Sequence, residues 1–373
     1  MNFSKIITIV LIAFVVGLII TAYLTNSNNF RDVKDDVLDK VNIDENRTTI
    51  VSDSRDAVER LKHRITYGSF DREIPVEVYF CPEDNCVFKL INLIDSSKKS
   101  IECAIYDISL DSITNKLIEK HNEGVEVTIV SDYERSKSRY SDIGILKYSK
   151  IPVITNTSDN PYMHNKFCVF DEKIVWVGSM NFTLNGNYKN NNNILVFEDK
   201  EIAKEYSKKI DSFFKGEFSP EIKKEVDVKS FGNIENYFCP EDNCSYHLLR
   251  FLDDANYSLD CMLFSFTLED AFNIINEKDI EKRFILEARN VNQYSQYENL
   301  VKNNIPVILD KNPNSMHHKF CVIDEYIVMT GSMNISKNGT TRNDESLIFV
   351  YNEELAKEYT EYFNNYWDLW NIE

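Results

Sequence analysis

Residues 163–181 read MHNKFCVFDEKIVWVGSMN, and residues 316–334 read MHHKFCVIDEYIVMTGSMN. Both stretches contain a His-x-Lys, then an Asp, then a Gly-Ser-x-Asn, at identical spacing. The matched polar residues are His164, Lys166, Asp171, Ser179 and Asn181 in the first copy, and His317, Lys319, Asp324, Ser332 and Asn334 in the second. Two copies of one polar pattern in a single chain predict one functional site that is built from two similar halves.

The duplication extends over most of the chain. The string YFCPEDNC occurs at residues 79–86 and again at 237–244, and AKEY occurs at 203–206 and again at 356–359. In each copy, short apolar runs that are typical of strands alternate with amphipathic runs that are typical of helices. This alternation predicts two tandem α/β sandwich domains with a mostly central sheet, which we place at residues 73–217 and 218–373.

The amino-terminal segment from Ile6 to Leu24 contains no charged residue. As a helix it would be about as long as a bilayer core is thick, about 30 Å. A cleaved signal peptide usually has a shorter apolar stretch, about 7–15 residues, followed by a small-x-small cleavage site. We therefore expect an uncleaved single-pass anchor over residues 1–25, followed by a polar, acidic stalk over residues 26–72 with one helix near residues 54–65.

The net charge of −18 argues against a general nucleic-acid-binding protein. Such proteins usually carry a basic face that displaces counterions from phosphates. A local basic cleft within an acidic protein is still compatible with this composition. The charge therefore disfavours a nuclease without excluding one.

The two histidines and two lysines of the repeated pattern are suited to phosphoryl chemistry. Residues two apart in a strand point to the same side, so we expect His164 and Lys166 to share a face, as their counterparts do. A fixed cation beside an imidazole suits a phosphodiester, whose non-bridging oxygens need positive charge during attack. One His can act as nucleophile and the other as general acid. The candidate phosphate-binding donors are the hydroxyls and amides of Ser179, Asn181, Ser332 and Asn334.

Asp171 and Asp324 complete the repeated pattern and have two interpretations. They are candidate catalytic residues because they belong to the matched set. Alternatively, each Asp holds the turn before the next strand, and this structural interpretation is favoured because Asp is common in turns.

With both copies complete, the chain resembles the phospholipase D superfamily, which is defined by His-x-Lys, four residues, Asp, six residues and Gly-Ser-x-Asn. The resemblance covers most of residues 76–370. It implies two α/β/α domains about a pseudo-twofold axis, one shared cleft within a monomer, a covalent phosphohistidine intermediate, and neither metal nor other cofactor. It also implies that His164 is the nucleophile and that His317 is the acid that protonates the leaving alcohol and then activates water.

The two copies differ at one position that bears on this chemistry. Many relatives have a Glu eleven residues after the motif Asn; the second copy has Glu345 there, and the first has Asn192. A carboxylate can stabilise an imidazolium, whereas an amide orients the ring without supplying charge. We predict that Glu345 reaches across the cleft to His164 and that Asn192 faces His317, which makes the site asymmetric.

The eight cysteines fall into repeat-related pairs. Four lie in apolar strands and are predicted to be buried free thiols: Cys103, Cys168, Cys261 and Cys321. The others bracket Pro-Glu-Asp-Asn turns: Cys81 with Cys86, and Cys239 with Cys244. These loops could hold a disulfide each, a shared four-cysteine zinc site, or free thiols, and disulfides are favoured because even pairing in an anchored protein fits export.

The side of the membrane is an open question at this stage. The paired cysteines favour an extracytoplasmic catalytic body. The basic residues that flank the span favour a cytoplasmic catalytic body, because the more basic side of a span is usually cytoplasmic. One basic residue lies before the span and three follow it: Lys5, then Arg31, Lys34 and Lys40. We expect the extracytoplasmic arrangement.

The leading hypothesis is a membrane-anchored phosphodiesterase that hydrolyses phospholipid head groups. An endonuclease is the first alternative, since nucleases share this signature. A phosphatidyltransferase of the cardiolipin synthase type is the second, although those synthases usually carry two amino-terminal spans. A non-catalytic scaffold is disfavoured because such relatives usually show decay in one signature, and both copies are intact here.

Overall fold

The computed structural model describes residues 70–371, and everything from Asp71 onward belongs to one compact unit. Over those residues, no helix has the length and apolar character that crossing a bilayer requires. The predicted anchor over residues 1–25 and the predicted helix near residues 54–65 lie outside the described residues, so both stay predictions.

The first half of the compact unit is a sheet whose strands alternate with helices. Its elements are β1 (Val76–Cys81), α1 (Cys86–Ser96), β2 (Ser100–Ile105), α2 (Asp111–Asn122), β3 (Glu126–Ser131), α3 (Tyr133–Ser136), α4 (Ile143–Tyr148), β4 (Val153–Thr155), β5 (Lys166–Phe170), β6 (Ile174–Gly178), α5 (Leu184–Tyr188), β7 (Asn190–Glu198) and α6 (Lys200–Phe214). The strand order is β1-β7-β6-β5-β2-β3-β4. Strands β2, β3 and β4 run parallel to one another, and β5 pairs antiparallel with β2.

The second half repeats this arrangement. Its elements are β8 (Ser230–Phe231), β9 (Ile234–Cys239), α7 (Cys244–Asp254), β10 (Ser258–Leu263), α8 (Glu269–Glu277), β11 (Glu281–Leu286), a 3-10 turn (Ala288–Asn290), α9 (Tyr297–Lys302), β12 (Val307–Leu309), β13 (Ser315–Met316), β14 (Lys319–Ile323), β15 (Ile327–Gly331), α10 (Lys337–Thr341), β16 (Glu345–Tyr351) and α11 (Glu353–Trp370). The order β12-β11-β10-β14-β15-β16-β9-β8 matches the first sheet, with β8 added at the edge. The predicted α/β class is confirmed, whereas the boundary at residues 217/218 stays a prediction.

One apolar core is shared by the two halves, because a single cluster contains buried residues from both sheets. The long amphipathic helices α6 and α11 supply reciprocal contacts to it. Phe80 of β1 meets Tyr359 of α11 edge-on at 5.0 Å, and Phe238 of β9 meets Tyr206 of α6 in the same way at 5.0 Å. Each half therefore buries apolar surface against the other half as well as within itself.

Four disulfides join all eight cysteines: Cys81–Cys86, Cys103–Cys168, Cys239–Cys244 and Cys261–Cys321. The prediction of buried free thiols in the strands was wrong. Cys103 on β2 lies directly opposite Cys168 on β5, and β10 and β14 bring the other two strand cysteines together in the same register. Directly opposed residues of antiparallel strands lie close enough to bridge, and here the Cα atoms are 4.1 Å apart in both pairs.

The two turn-forming cysteine loops also contain disulfides, which confirms the favoured interpretation of Cys81, Cys86, Cys239 and Cys244. All four sulfurs are bonded to one another within their own loops. The alternative of a zinc site between the loops is therefore wrong, because a disulfide sulfur is not the thiolate that zinc requires.

Candidate active site

Each half positions the histidine segment of the other half. The backbone N–H of His164 donates to the carbonyl of Asp344 at the start of β16, at 2.8 Å, and that of His317 donates to Asn191 of β7, also at 2.8 Å. Strand β5 begins at Lys166, so His164 precedes the strand instead of lying in it as expected. Both signatures consequently meet at the boundary between the halves, and neither half alone holds its own histidine.

The ring of His164 is held by a carboxylate from the second half. Its Nδ1 lies 2.7 Å from Oε2 of Glu345, and the hydroxyl of Ser332 donates to the same oxygen at 2.7 Å. Ser332 Oγ itself accepts from the backbone N–H of Ser346 at 2.9 Å, so its one proton is free to point at Glu345. Glu345 therefore acts as an acceptor, which places a proton on Nδ1 of His164 and leaves Nε2 with the lone pair that a nucleophile needs.

The ring of His317 is held in the mirrored way by an amide from the first half. Its Nδ1 lies 2.9 Å from Oδ1 of Asn192, which also accepts from Ser179 Oγ at 2.9 Å. The other end of the amide donates to the carbonyl of Gly186 at 2.8 Å, which fixes the orientation of the amide. The two cross-cleft contacts predicted from the sequence are present, and His164 alone faces a carboxylate.

The serines of the two signatures have a different role from the predicted one. Ser179 and Ser332 are fully buried, and each directs its single proton at the residue that orients a histidine. This geometry does not support their assignment as phosphate-binding donors, because a hydroxyl has only one hydrogen to donate. Asn181 and Asn334 differ: the Oδ1 of each is buried without a hydrogen-bond partner, and their assignment to phosphate binding stays a prediction.

Two buried lysines supply the positive charge of the site. Lys166 Nζ donates to the carbonyl of His164 at 2.5 Å, and Lys319 Nζ donates to that of His317 at 2.7 Å. Burial lowers the pKa of Lys166 to about 7, and burial together with the charge of Lys166 lowers the pKa of Lys319 well below its ordinary value. No carboxylate among residues 70–371 forms an ion pair with either ammonium; unpaired charges are costly to bury, and a bound phosphate would offset that cost.

Both motif histidines favour the neutral form in this environment. Burial lowers the pKa of His164, with Lys166 as the next cause, and burial followed by Lys319 lowers the pKa of His317. Burial also raises the pKa of Glu345 to about 8. Because Glu345 and His164 lie within hydrogen-bond distance, they share one proton, and the donation from Ser332 favours placing it on the imidazole.

Asp171 and Asp324 lie at the far ends of β5 and β14 from the histidines. Asp171 accepts from the backbone N–H groups of Lys98, Lys99 and Ser100, at 2.9, 2.7 and 3.2 Å. Asp324 accepts in the same way from residues 256–258 at the start of β10. This geometry supports the structural interpretation that the sequence favoured, because each carboxylate holds the start of a strand, and the catalytic assignment stays a prediction.

Several residues that position the histidine segments were missed by sequence reasoning. Asp132 and Glu287 follow β3 and β11, and they accept from the backbone N–H of Met163 at 3.2 Å and of Met316 at 2.7 Å. Both acidic residues stand at the same place in the repeat, immediately after the third strand, and this repetition was the available signal. Their contacts fix the residue directly before each catalytic histidine candidate.

His318, directly after His317, is a further residue that holds the second histidine segment. It is fully buried, and its two ring nitrogens lie 3.1 Å from Asn193 Oδ1 and 3.1 Å from the Tyr362 hydroxyl. Asn193 also donates to Tyr359 at 2.8 Å. Three consecutive asparagines of β7 thus hold the second histidine segment: Asn191 at the backbone, Asn192 at His317 and Asn193 at His318.

Comparison with known proteins gives matches to both halves. A family model described as "Cardiolipin synthase, PLD-like domain" matches residues 90–214 and 248–367. The mitochondrial cardiolipin hydrolase of Xenopus tropicalis is 29% identical over 149 residues, which are 39% of this chain and 70% of that protein. A phospholipase D of Rickettsia conorii is 34% identical over 131 residues, 35% of this chain and 65% of that protein. The structure of a phosphatidylserine synthase from Haemophilus influenzae, 13% identical, has the same fold, with a TM-score of 0.58 over 82% of this chain and 89% of that chain.

Proposed function

This chain belongs to the phospholipase D superfamily, and we propose that within it the protein hydrolyses phospholipid phosphodiesters through a phosphohistidine intermediate. The observation that carries the proposal is the asymmetric pair of histidines beside two buried lysines: His164 contacts the Glu345 carboxylate, whereas His317 contacts the Asn192 amide. A nucleophilic histidine must be neutral and an acidic histidine must be protonated. The carboxylate beside one histidine and the amide beside the other allow the two rings to differ in this way.

In the first step, Nε2 of His164 attacks phosphorus, and the bond to the leaving alcohol oxygen breaks in line. His317 donates a proton to that oxygen, so a free alcohol leaves and His317 becomes neutral. Glu345 stabilises the positive charge that His164 acquires on forming the N–P bond. Lys166 and Lys319 compensate the charge of the non-bridging oxygens.

In the second step, His317 takes a proton from water while the water oxygen attacks phosphorus and the N–P bond breaks. This regenerates neutral His164 and protonated His317. His317 takes up the proton that it needs for the first step from solvent when the substrate binds. In the free enzyme, burial is the largest cause that lowers the pKa of His317, and the positive charges of the two lysines are the next. A phosphodiester anion bound between the lysines offsets their charge and so raises the pKa of His317.

The net charge, the predicted anchor and the disulfides together favour a lipid as the substrate. The chain carries a net charge of −18, which disfavours binding to a nucleic-acid backbone. The predicted anchor over residues 1–25 would hold the cleft at a bilayer. The four disulfides are typical of an oxidising compartment and favour a catalytic body on the extracytoplasmic side.

Phosphatidyl transfer is the second candidate function. It is favoured by the matching family model, which is described by the name of a synthase. Transfer differs from hydrolysis only in the second step, where an alcohol replaces water as the group that His317 deprotonates. The same residues therefore serve both reactions.

The test uses the full-length protein in mixed detergent–phospholipid micelles, with and without added glycerol. We expect release of the head-group alcohol, and a glycerol adduct only if the enzyme transfers. His164→Ala and His317→Ala should each abolish turnover, whereas His121→Ala on α2 serves as the matched control. Turnover that survives in both active-site variants would contradict the mechanism, and cleavage of single-stranded DNA without lipid turnover would establish the nuclease alternative.

A further inference from the structure

The two histidines have different neighbours after the third strand of each half: the second half has Arg289 in an ion pair with Glu287, whereas Arg135 of the first half makes no ion pair with any described residue. Tyr106, just after β2, places its ring 4.7 Å from that of His164, and the corresponding Phe264 lies 4.7 Å from His317. The first half also contains Arg135, whose Nε donates to the Tyr106 hydroxyl at 3.0 Å. The position of Arg135 in the second half, three residues after the acidic residue that follows β11, is occupied by Asn290.

The guanidinium of Arg135 is exposed, and most of its N–H groups make no hydrogen bond to a described residue. Its carbon lies 5.2 Å from the centre of the Tyr106 ring, so it stands one ring away from His164. Across residues 70–371, Arg135 makes no ion pair, and its only side-chain hydrogen bond is the one from Nε. An arginine carries five N–H groups in a planar fork, and the ones on both terminal nitrogens are therefore available to a ligand.

The nearby carboxylates do not occupy this guanidinium. Asp132 accepts from the backbone N–H groups of Met163 and Arg135 and from the Asn156 amide. Burial raises the pKa of Asp107, and the charges of Arg135 and Lys166 oppose that rise, yet in the described part of the chain no ion pair joins Asp107 to either. Its counterpart in the second half is Ser265, so the first half alone has this pair of charges.

The ring of Tyr162 is 49% exposed and lies 5.8 Å from Tyr106. We call Tyr106, Arg135 and Tyr162 the arginine wall. We propose that the arginine wall binds a second anionic group of the substrate beside the scissile phosphodiester, so that a phospholipid with two negative charges is preferred over one with a single charge. This inference rests on the proposed function and names the substrate class for the same site.

A nucleic acid would also offer a second phosphate, but the surroundings favour a lipid. The neighbouring Lys137 lies over the ring of Tyr133 at 3.6 Å and 3.9 Å from the carboxylate of Glu134, so it adds little free charge. The chain as a whole carries a net charge of −18, which disfavours a polyanion such as a nucleic acid as the ligand of Arg135. Arginine beside exposed tyrosines is instead typical of a lipid–water interface.

The first test compares two lipids that share a glycerol head group. Full-length protein is assayed on cardiolipin, which has two phosphates, and on phosphatidylglycerol, which has one, in neutral-detergent micelles at equal surface charge. Arg135→Gln should lower kcat/KM on cardiolipin by about 10- to 100-fold, the effect of losing a charge-assisted hydrogen bond, and much less on phosphatidylglycerol. Lys208→Gln, which removes an exposed positive charge from α6, is the matched control. An equal loss on both lipids would overturn the proposal.

The second test separates this inference from the proposed function, because it needs no turnover. Glycerol 1,3-bisphosphate and glycerol 3-phosphate are titrated by calorimetry into wild type and Arg135→Gln. We expect wild type to bind the bisphosphate more tightly and the variant to lose that preference; equal affinities in wild type would overturn the subsite. If the preference is present but neither lipid is hydrolysed, the proposed function and the lipid assignment fail while the anion subsite stands. Oligonucleotide cleavage that depends on Arg135 would replace the lipid with a nucleic acid.

Discussion

Glu345 and Asn192 stand at the same place in the two halves, and each reaches across the boundary to the histidine of the other half, at 2.7 and 2.9 Å. Each is supported by the serine of its own signature, which in turn accepts a backbone N–H. The two arrangements use equivalent residues, but Glu345 has a carboxylate where Asn192 has a neutral amide. That difference in charge distinguishes the two histidines.

Glu345→Gln should slow formation of the phosphoenzyme by about 10- to 100-fold, the range typical for loss of a partner that orients and charges a histidine. The amide keeps an oxygen near Nδ1 of His164 but cannot stabilise the imidazolium that forms during attack. Rapid-quench measurement of the burst phase reports this step directly. Ser346→Ala, which lies beside Glu345 on the same buried strand, controls for a packing defect, and an unchanged burst rate in Glu345→Gln would contradict the assignment of His164 as nucleophile.

Asn192→Asp should shift the pH profile of kcat/KM. His317 must be protonated to act as an acid, so activity falls as the pH rises through its pKa, which burial and Lys319 lower in the wild type. A carboxylate 2.9 Å away would raise that pKa, and the alkaline limb should move up by about 1 unit or more. Thermal denaturation accompanies the assay because the substitution also removes the amide donor to Gly186. If the variant is folded and the alkaline limb of its kcat/KM profile lies at the same pH as in the wild type, His317 is not the acid.

Much of this site was predictable because it is repeated. The pairing of Glu345 with His164 followed from a single difference at matched positions, and repetition of the whole pattern removed the ambiguity that a lone His-x-Lys would have. The strands likewise follow apolar runs with clear ends. Repetition identifies equivalent positions without any knowledge of the fold.

The remaining features depend on strand register and on side-chain direction. Cys103 and Cys168 looked like separate buried thiols because nothing in the sequence aligns β2 with β5. Ser179 looked like a phosphate ligand because its spacing does not show that its hydroxyl turns inward to Asn192. Arg135 has Asn290 at the matching position and lies outside the two repeated signatures, so comparing those signatures could not indicate it.

Binding of sulfate, a competitor whose charge is fixed, should weaken as the pH rises from 6 to 8. Burial lowers the pKa of Lys166 to about 7, so its ammonium is charged below that value and neutral above it. The inhibition constant should rise roughly tenfold over this interval, following the charged fraction of Lys166. Lys166→Met, which keeps the length of the side chain, should bind sulfate weakly at every pH. A pH-independent constant in the wild type would show that both lysines keep their charge throughout.

Asp171→Asn should destabilise the fold without changing the chemistry. The carboxylate accepts three backbone N–H groups at the start of β2, and an amide oxygen accepts the same bonds less strongly, so we expect a loss of about 1–3 kcal/mol in the free energy of unfolding. The kcat of the folded enzyme should stay within about twofold of wild type, because Asp171 lies at the end of β5 opposite to His164. Urea denaturation and steady-state kinetics on the same preparation measure both quantities. Asp324→Asn is the matched variant in the second half, and a large fall in kcat at unchanged stability would support a catalytic role for this residue of the signature.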